Sequence, residues 1–271
     1  MKNFIRTSSI LKVFKALVGV LKAGGVIECS SCGRRPAIYF RRHSGERLCS
    51  ICLHRDLVKE IKRSFSLIGK KGLGLKVAVP IVSCRFIESV VLMKLLNEVE
   101  QEFSGEVVGV VTEEELLDSI TNVRRYCNDI VFIALGYEDV KKSIDVFKAF
   151  SSLGARFDVV ALPATLDDIL VSFLNSLVYD YEIVKPKVYA KHDGIEFIFP
   201  MHRILKTDIL AYALASGILR GLSYPTCLNE PDALSRFASQ LSMEHPELLY
   251  RFLYSELSQH SDSDRKVKGK T

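Results

Sequence analysis

Four of the seven cysteines fall in two tight pairs. The chain reads CSSC at 29–32 and CSIC at 49–52, with sixteen residues between the pairs. Two cysteines three positions apart can both point at one ion, and two such pairs supply the four thiolates that tetrahedral zinc binds at about 2.3 Å. Because four protein ligands leave no open coordination position, the spacing predicts a structural zinc site, with chance or redox cysteines as the alternative. The predicted ligands are Cys29, Cys32, Cys49 and Cys52.

The segment that contains these pairs is basic. Residues 29–66 contain nine Lys+Arg against three Asp+Glu, an excess of six, whereas the whole chain carries +5. Arginines interleaved with aromatic rings are typical of surfaces that bind phosphates and stacked bases. Part of the charge offsets the metal site, since zinc with four thiolates carries about −2, so a solvated ribbon stabilised by its own arginines is the alternative. The candidate RNA-binding residues are Arg34, Arg35, Tyr39, Arg41, Arg42 and Arg47.

From Lys76 the chain alternates between apolar runs of strand length and helical patterns. Four runs are almost continuously apolar, as expected of strands covered by helices on both faces. Repeated strand–helix units predict a mainly parallel, doubly wound α/β sheet of Rossmann-like type, whose ligands bind beyond the carboxyl ends of the strands. Two later runs flank a turn and predict a hairpin at the sheet edge. The four parallel runs are 76–82, 106–112, 129–135 and 157–163, and the hairpin runs are 184–190 and 194–200.

The N-terminal segment has apolar residues at helical spacing, interrupted by Lys12, Lys15 and Lys22. No stretch reaches the roughly 18 apolar residues needed to span a bilayer. We interpret it as a basic amphipathic helix that packs on the rest of the protein, and a membrane-surface helix is the alternative. Tight cysteine pairs and an odd cysteine count suit a reducing compartment, so we predict a cytoplasmic protein without a membrane partner.

The chain divides into five predicted segments, the third of them the α/β sheet. They are a basic amphipathic helix (1–28), a zinc ribbon with a linking helix (29–68), an α/β domain (74–222), C-terminal helices (223–258) and a disordered tail (259–271).

The order of these parts resembles the tRNA 2-thiouridine synthetases of the PP-loop (N-type ATP pyrophosphatase) superfamily, which have an adenine nucleotide alpha hydrolase-like fold. The resemblance covers residues 29–230. The ribbon and its helix match the family's opening, KVAV matches its first strand, and FDVVALPATLDDIL matches the strand before Gly-His-Asn-Leu-Asp-Asp, with Asp167 and Asp168 retained. FPMHRILKTDILAYALASGI matches a helix with an acidic residue, here Asp208. The resemblance implies ATP-dependent adenylation of an RNA uridine, followed by replacement of its carbonyl oxygen by sulfur.

The phosphate loop departs from the family pattern. The family reads Ser-Gly-Gly-Lys-Asp-Ser after the first strand, whereas this chain reads PIVSCRFIES, with Glu88 and Ser89 as the best match to Asp-Ser. Glycines let backbone amides approach phosphate, and Pro80 has no N–H at all. We therefore predict no catalytic residues and no family-type binding of ATP and Mg²⁺. The two retained aspartates either keep a ligand role or cap the helix that begins there. The degenerate nucleotide site would consist of Ser83, Arg85, Ser89, Asp167 and Asp168.

Other family features are lost as well. Ala164 and Thr165 replace the family's His-Asn, and its Cys-x-x-Cys has no counterpart, so we expect no iron–sulfur cluster. Cys227 matches the position of a functional cysteine and is a candidate residual thiol. Cys84, and Cys127 on a predicted helix, are expected to be small core residues.

Together these features resemble the non-catalytic subunit of the eukaryotic cytosolic tRNA thiolation complex. They predict a pseudo-enzyme that binds tRNA and docks an active thiolation enzyme with an intact PP-loop, and they leave homo- and hetero-oligomers open. One alternative is an ATP-dependent tRNA sulfurtransferase in which Ser83, Arg85 and Ser89 meet phosphate at the helix N-terminus. The other is a zinc-ribbon regulatory protein unrelated to tRNA.

Overall fold

The structure is a computed structural model that describes residues 27–66, 74–111, 116, 119–120, 123–132, 156–179, 188–192, 195–220 and 233–254. Residues 1–26 of the predicted N-terminal helix, the predicted tail and Cys227 lie outside this part of the chain. None of the helices in these described ranges has the length and apolar character of a bilayer-spanning segment.

The described chain begins with a small hairpin and a helix, and the strands of the sheet and further helices follow. The strands are β1 (Tyr39–Arg41), β2 (Glu46–Leu48), β3 (Lys76–Ile81), β4 (Glu106–Val111), β5 (Asp129–Phe132), β6 (Val159–Ala161), β7 (Tyr189–His192) and β8 (Ile195–Ile198). The helices are α1 (Ser50–Phe65), α2 (Phe86–Gln101), α3 (Leu166–Tyr179), α4 (Lys206–Ala215), α5 (Ala233–Glu244) and α6 (246–254).

Strands β3 to β8 form one sheet with the order β5-β4-β3-β6-β8-β7. All neighbours are parallel except β7, which lies antiparallel to β8 at the edge. Strands β3 and β4 are buried at every position except the first, because apolar clusters cover both faces of the sheet. The predicted α/β sheet, with its edge hairpin, is confirmed.

Pro80 lies inside β3, although proline cannot donate a hydrogen bond to a strand ladder. Strand β4 pairs along all of β3, whereas in the described sheet β6 pairs only with Val77 and Ala78. Pro80 therefore lies where β3 has one neighbouring strand, which is a position at which a sheet tolerates a missing N–H.

Helix α2 follows β3 and lies between the sheet and helices α1 and α4. Eleven of its sixteen residues are buried, which is expected of a helix that is apolar on nearly every side. The start of α2, at the carboxyl end of β3, is thereby fixed by packing on its neighbours.

The region before β5 differs from the sequence prediction. Cys127 was predicted to lie on a helix, but the described residues before it form only a short 3-10 helix, Arg124–Tyr126. Cys127 follows this turn in an extended conformation and is buried. It is a small core residue, as expected, but it does not lie on a helix.

Candidate metal centre and degenerate nucleotide site

The two cysteine pairs meet in the structure. Their four Sγ atoms all lie within 4.8 Å of one another, and the Sγ atoms of Cys32 and Cys49 are 4.0 Å apart. A tetrahedral ion with bonds of about 2.3 Å holds its ligands roughly 3.8 Å apart, so small movements bring all four thiols onto one ion. The structure thus brings together the four residues predicted as metal ligands.

Local backbone geometry positions each pair. Gly33 follows the first pair with φ of +58°, a left-handed value that favours glycine, and its N–H donates to the carbonyl of Cys29 at 2.7 Å. The second pair begins α1, because Cys49 immediately precedes the helix and Cys52 lies in its first turn. One pair therefore lies on a tight turn and the other at a helix start.

The environment makes the thiols unequal in acidity. Burial would raise the pKa of Cys29, but backbone hydrogen bonds, led by one at Cys49, outweigh it and lower this pKa to about 6. Burial raises the pKa of Cys52 to about 12. Since a bound cation favours the thiolate at every ligand position, a metal would remove this difference.

The carboxyl end of β3 does not lead into a glycine-type phosphate loop. The chain forms a short 3-10 helix, Ser83–Arg85, and α2 begins at Phe86. No residue of this turn has a positive φ, so it lacks the left-handed positions that glycines provide. Ser89 is buried, and its Oγ donates to the carbonyl of Pro80 at 2.9 Å. This predicted nucleotide-binding hydroxyl therefore stabilises the turn.

Cys84 lies in the same 3-10 helix. It is half-buried and disulfide-bonded, which differs from the expected small core residue.

Arg85 is held by an aspartate of α3. Its guanidinium lies 3.3 Å from Asp168, and the other carboxylate oxygen of Asp168 accepts hydrogen bonds from the N–H and hydroxyl of Thr165 at 2.8 and 2.9 Å. The bond from the Thr165 N–H is one half of a capping box, in which a side chain in the first turn accepts from the N-cap backbone N–H. Burial would raise the pKa of Asp168, but Arg85 and the other partners outweigh it and lower that pKa. Asp168 therefore caps the helix, one of the two roles considered for it.

A second ion pair lies beside the first. The Lys206 ammonium is 2.7 Å from a carboxylate oxygen of Glu88, whose side chain is only 4% exposed. The Lys206 backbone N–H donates to Asp167 at 2.8 Å, and burial raises the pKa of Asp167 to about 6. Glu88 and Lys206 were not predicted as site residues. The only sequence signal for them was the alignment of Glu88 with the family's loop aspartate.

These five side chains, here called the charged cluster, form a nearly neutral group. Two cations face three carboxylates, for a formal charge of −1, and the raised pKa of one carboxylate brings the total closer to zero. Both cations that lie near the turn therefore already have anionic partners. The charged cluster consists of Arg85, Glu88, Asp167, Asp168 and Lys206.

Asp208, which matches the family's acidic residue, connects the ribbon to α4. Its carboxylate accepts from the Nε of Arg41 at 3.3 Å, and Arg41 also contacts Glu46 at 3.1 Å and Asp56 at 3.2 Å. Tyr39 donates to the hydroxyl of Thr207 at 3.3 Å, one residue earlier on α4. The ribbon is thus fixed to the α/β domain.

The structure changes the list of candidate RNA-binding residues. Tyr39 is buried and the Arg41 side chain is only 12% exposed, so their interactions are directed into the protein and not toward an RNA. Arg42 is exposed but donates to the carbonyl of Met243 at 2.7 Å. The exposed residues Arg34, Arg35 and Arg47 stay a prediction.

Comparison with solved structures identifies a protein of similar fold. No family model and no curated protein sequence matches the chain. Among solved structures, the U34-tRNA thiolase NcsA from Methanococcus maripaludis, solved with its [4Fe-4S] cluster, matches with a TM-score of 0.68 and 16% identity, over 86% of this chain and 87% of that one. The described domain therefore shares its fold with this thiolase. At 16% identity, the similarity establishes the fold and not the activity.

A second solved structure, an NAD+ synthetase from Burkholderia pseudomallei, matches with 14% identity over 72% of this chain and 90% of that one. Its TM-score is 0.38, and we draw no conclusion from it.

The prediction that this chain holds no iron–sulfur cluster is wrong, because a protein of the same fold holds one. NcsA carries a [4Fe-4S] cluster, and four cysteine thiolates are a ligand set for such a cluster as well as for zinc. The sequence argument considered only the missing Cys-x-x-Cys of the α/β domain. It overlooked that the four ribbon cysteines, which converge in the structure, could hold either group.

Proposed function

We propose that this chain is a non-catalytic member of the tRNA thiolation family that binds tRNA and pairs with an active thiolation enzyme. Its fold is shared with a U34-tRNA thiolase, and its sequence motifs resemble the same family. The observation that carries the non-catalytic part is the charged cluster at the carboxyl end of β3 and the start of α2.

A triphosphate at this turn would meet an unfavourable environment. It would compete with Asp168 for Arg85 and with Glu88 for Lys206, because both cations already have carboxylate partners within 3.3 Å. At an effective dielectric constant near 20, a phosphate charge 4 Å from a carboxylate is repelled by about 4 kcal/mol. The turn offers no glycine backbone in compensation.

Isothermal titration with ATP and Mg²⁺ tests this proposal. We expect no binding heat up to millimolar nucleotide. The matched variant is Asp168→Asn, which removes one competing carboxylate and releases Arg85. It should bind no more than weakly, since the glycine backbone is still missing. Micromolar affinity of the wild-type protein would overturn the non-catalytic proposal and favour the sulfurtransferase alternative, in which the 39% exposed Arg85 side chain contacts phosphate.

The partner can be sought directly. A pull-down with the tagged full-length chain should recover a protein that contains an intact Ser-Gly-Gly-x-Asp-Ser loop. Retention of tRNA but no such protein would limit the function to RNA binding. Absence of both would favour the zinc-ribbon regulator.

For the metal centre, we propose that the four ribbon cysteines hold either a zinc ion or a [4Fe-4S] cluster. Metal analysis with the visible absorption spectrum of anaerobically purified protein distinguishes them, because zinc has no visible absorption while iron–sulfur clusters do. Cys29→Ser should abolish either signal. Retention of full metal content in that variant would place the metal elsewhere.

A further inference from the structure

One face of α1 carries cations that lie outside the charged cluster, and only Arg55 among them reaches the metal site, where it donates to the Sγ of Cys52 at 4.0 Å. Four of them recur at steps of four, three and one, which places them along one side of the helix. They line a shallow groove of about 540 Å³, with Val58 on its wall and Ser66 at its end. The opposite side of α1 is buried in the core. The four cations are Arg55, Lys59, Lys62 and Arg63.

The groove is positive after its ion pairs are counted. Lys62 lies 2.6 Å from Glu102, and Arg63 contacts Glu60, so four cations face two carboxylates and the sum is +2. Exposed ion pairs of this kind are weak and screened by salt, and a phosphate can exchange with either carboxylate. Within the described ranges, Arg55 and Lys59 have no carboxylate at ion-pair distance. Arg55 donates to the hydroxyl of Ser31 at 2.9 Å, beside the metal site.

We propose that this groove binds the phosphate backbone of RNA and is the main electrostatic contact for it. The inference rests on the proposed function, which makes tRNA the partner. From Arg55 to Arg63 the helix rises about 12 Å, a length that covers roughly three or four phosphates at 3.4 Å per nucleotide. The hairpin β1–β2 is less suited to this role, because Arg41 and Arg42 are held by other parts of the protein.

The composition of the groove favours RNA over an acidic protein. Stable protein interfaces have an apolar or aromatic core, whereas Val58 is the only large apolar residue among the described residues that line the groove. Phosphate binding needs only cations and release of counterions. A rigid row of cations on a helix therefore fits a polyanionic backbone better than a folded protein surface.

The test is a mobility-shift titration of bulk tRNA with the metal-loaded, full-length protein at several salt concentrations. The variant Lys59→Ala/Arg63→Ala removes two contacts on the solvent face of α1. We expect about tenfold weaker binding and a shallower salt dependence, with the slope of log K against log salt reduced by roughly 1.5. The matched control is Arg156→Ala/Lys191→Ala, which removes two exposed cations outside the groove and should leave both quantities unchanged.

A second pair of variants separates the groove from the ribbon. If Arg34→Ala/Arg35→Ala abolishes binding and the groove variant binds like the wild-type protein, the groove proposal is wrong while the tRNA proposal stands. If the wild-type protein does not retard tRNA at low salt, both are wrong. Displacement of tRNA by polyglutamate at equal charge would instead indicate an acidic protein partner and overturn the RNA assignment. Equal melting temperatures show that each variant is folded, and the single variant Lys59→Ala replaces any double variant that is not.

Discussion

Arg41 fixes the ribbon to the α/β domain, and replacing it by methionine should destabilise the protein substantially. Its three carboxylate partners are not equivalent. Glu46 and Asp56 are 42% and 32% exposed, so the pairs with them contribute at most about 1 kcal/mol each. Asp208 is 3% exposed, and a buried carboxylate that loses its partner costs about 3–5 kcal/mol. We expect Arg41→Met to lower the free energy of unfolding by about 3–5 kcal/mol, because the unpaired carboxylate of Asp208 dominates the loss.

Urea denaturation of the metal-loaded protein at pH 7 measures this loss. Glu46→Gln is the matched control, and it should change the free energy of unfolding by about 1 kcal/mol or less because its partner keeps two other carboxylates. The double variant Arg41→Met/Asp208→Asn should recover at least half of the loss, since no buried charge is then left unpaired. A loss below 1 kcal/mol at pH 7, or an equal loss in the double variant, would refute the assignment of Asp208 as the dominant partner.

Three further predictions concern the charged cluster and the metal centre. Burial raises the pKa of Asp167 from 3.8 to about 6. The contribution of this carboxyl to stability is therefore complete below pH 3.8 and is lost as the pH rises through 6. Relative to wild type, the free energy of unfolding of Asp167→Asn should rise by on the order of 2 kcal/mol between pH 4 and 7, as measured by urea titrations. Lys206→Met leaves Glu88 buried without its cation and should cost about 3 kcal/mol, whereas adding Glu88→Gln should restore most of it; equal stability of the single and double variants would contradict the pairing. Cys52→Ser should remove the metal and lower the melting temperature by several degrees, as should chelation of the wild-type protein, measured by metal content and calorimetry.

The sheet could be predicted because its signals are local. Apolar runs such as 106–112 must be buried on both faces, and the helical patterns between them impose parallel crossovers. The cysteine cluster was predictable for a similar reason, since a spacing of three fixes two thiols on one turn. The short 3-10 helix before β5 was not predicted, because apolar spacing alone does not distinguish a 3-10 turn from the helix expected at Cys127.

The charges were harder to assign, because an arginine in a sequence does not show which acid it will meet. Arg41 and Arg47 look equivalent in the basic loop, yet one is held by Asp208, more than 160 residues later in the chain, and the other is exposed. Glu88 and Lys206 likewise come from separate helices, and only the fold brings them together. Long-range ion pairs depend on topology, so composition predicts that a region is basic but not which of its cations remain available.

These long-range ion pairs also explain how the fold can persist without a phosphate loop. In an enzyme that binds a nucleotide, the cations and the helix start at this position must stay unpaired until the ligand arrives, and such unsatisfied groups reduce the stability of the ligand-free protein. Here Arg85 and Lys206 have carboxylate partners, Ser89 donates to the strand, and Asp168 caps α3. Each of these groups, which in a nucleotide-binding enzyme could contact phosphate, has an ion-pair or hydrogen-bond partner within the chain. The carboxyl end of β3 is thus stabilised by ion pairs and hydrogen bonds within the chain, which is the arrangement that the proposed non-catalytic role requires.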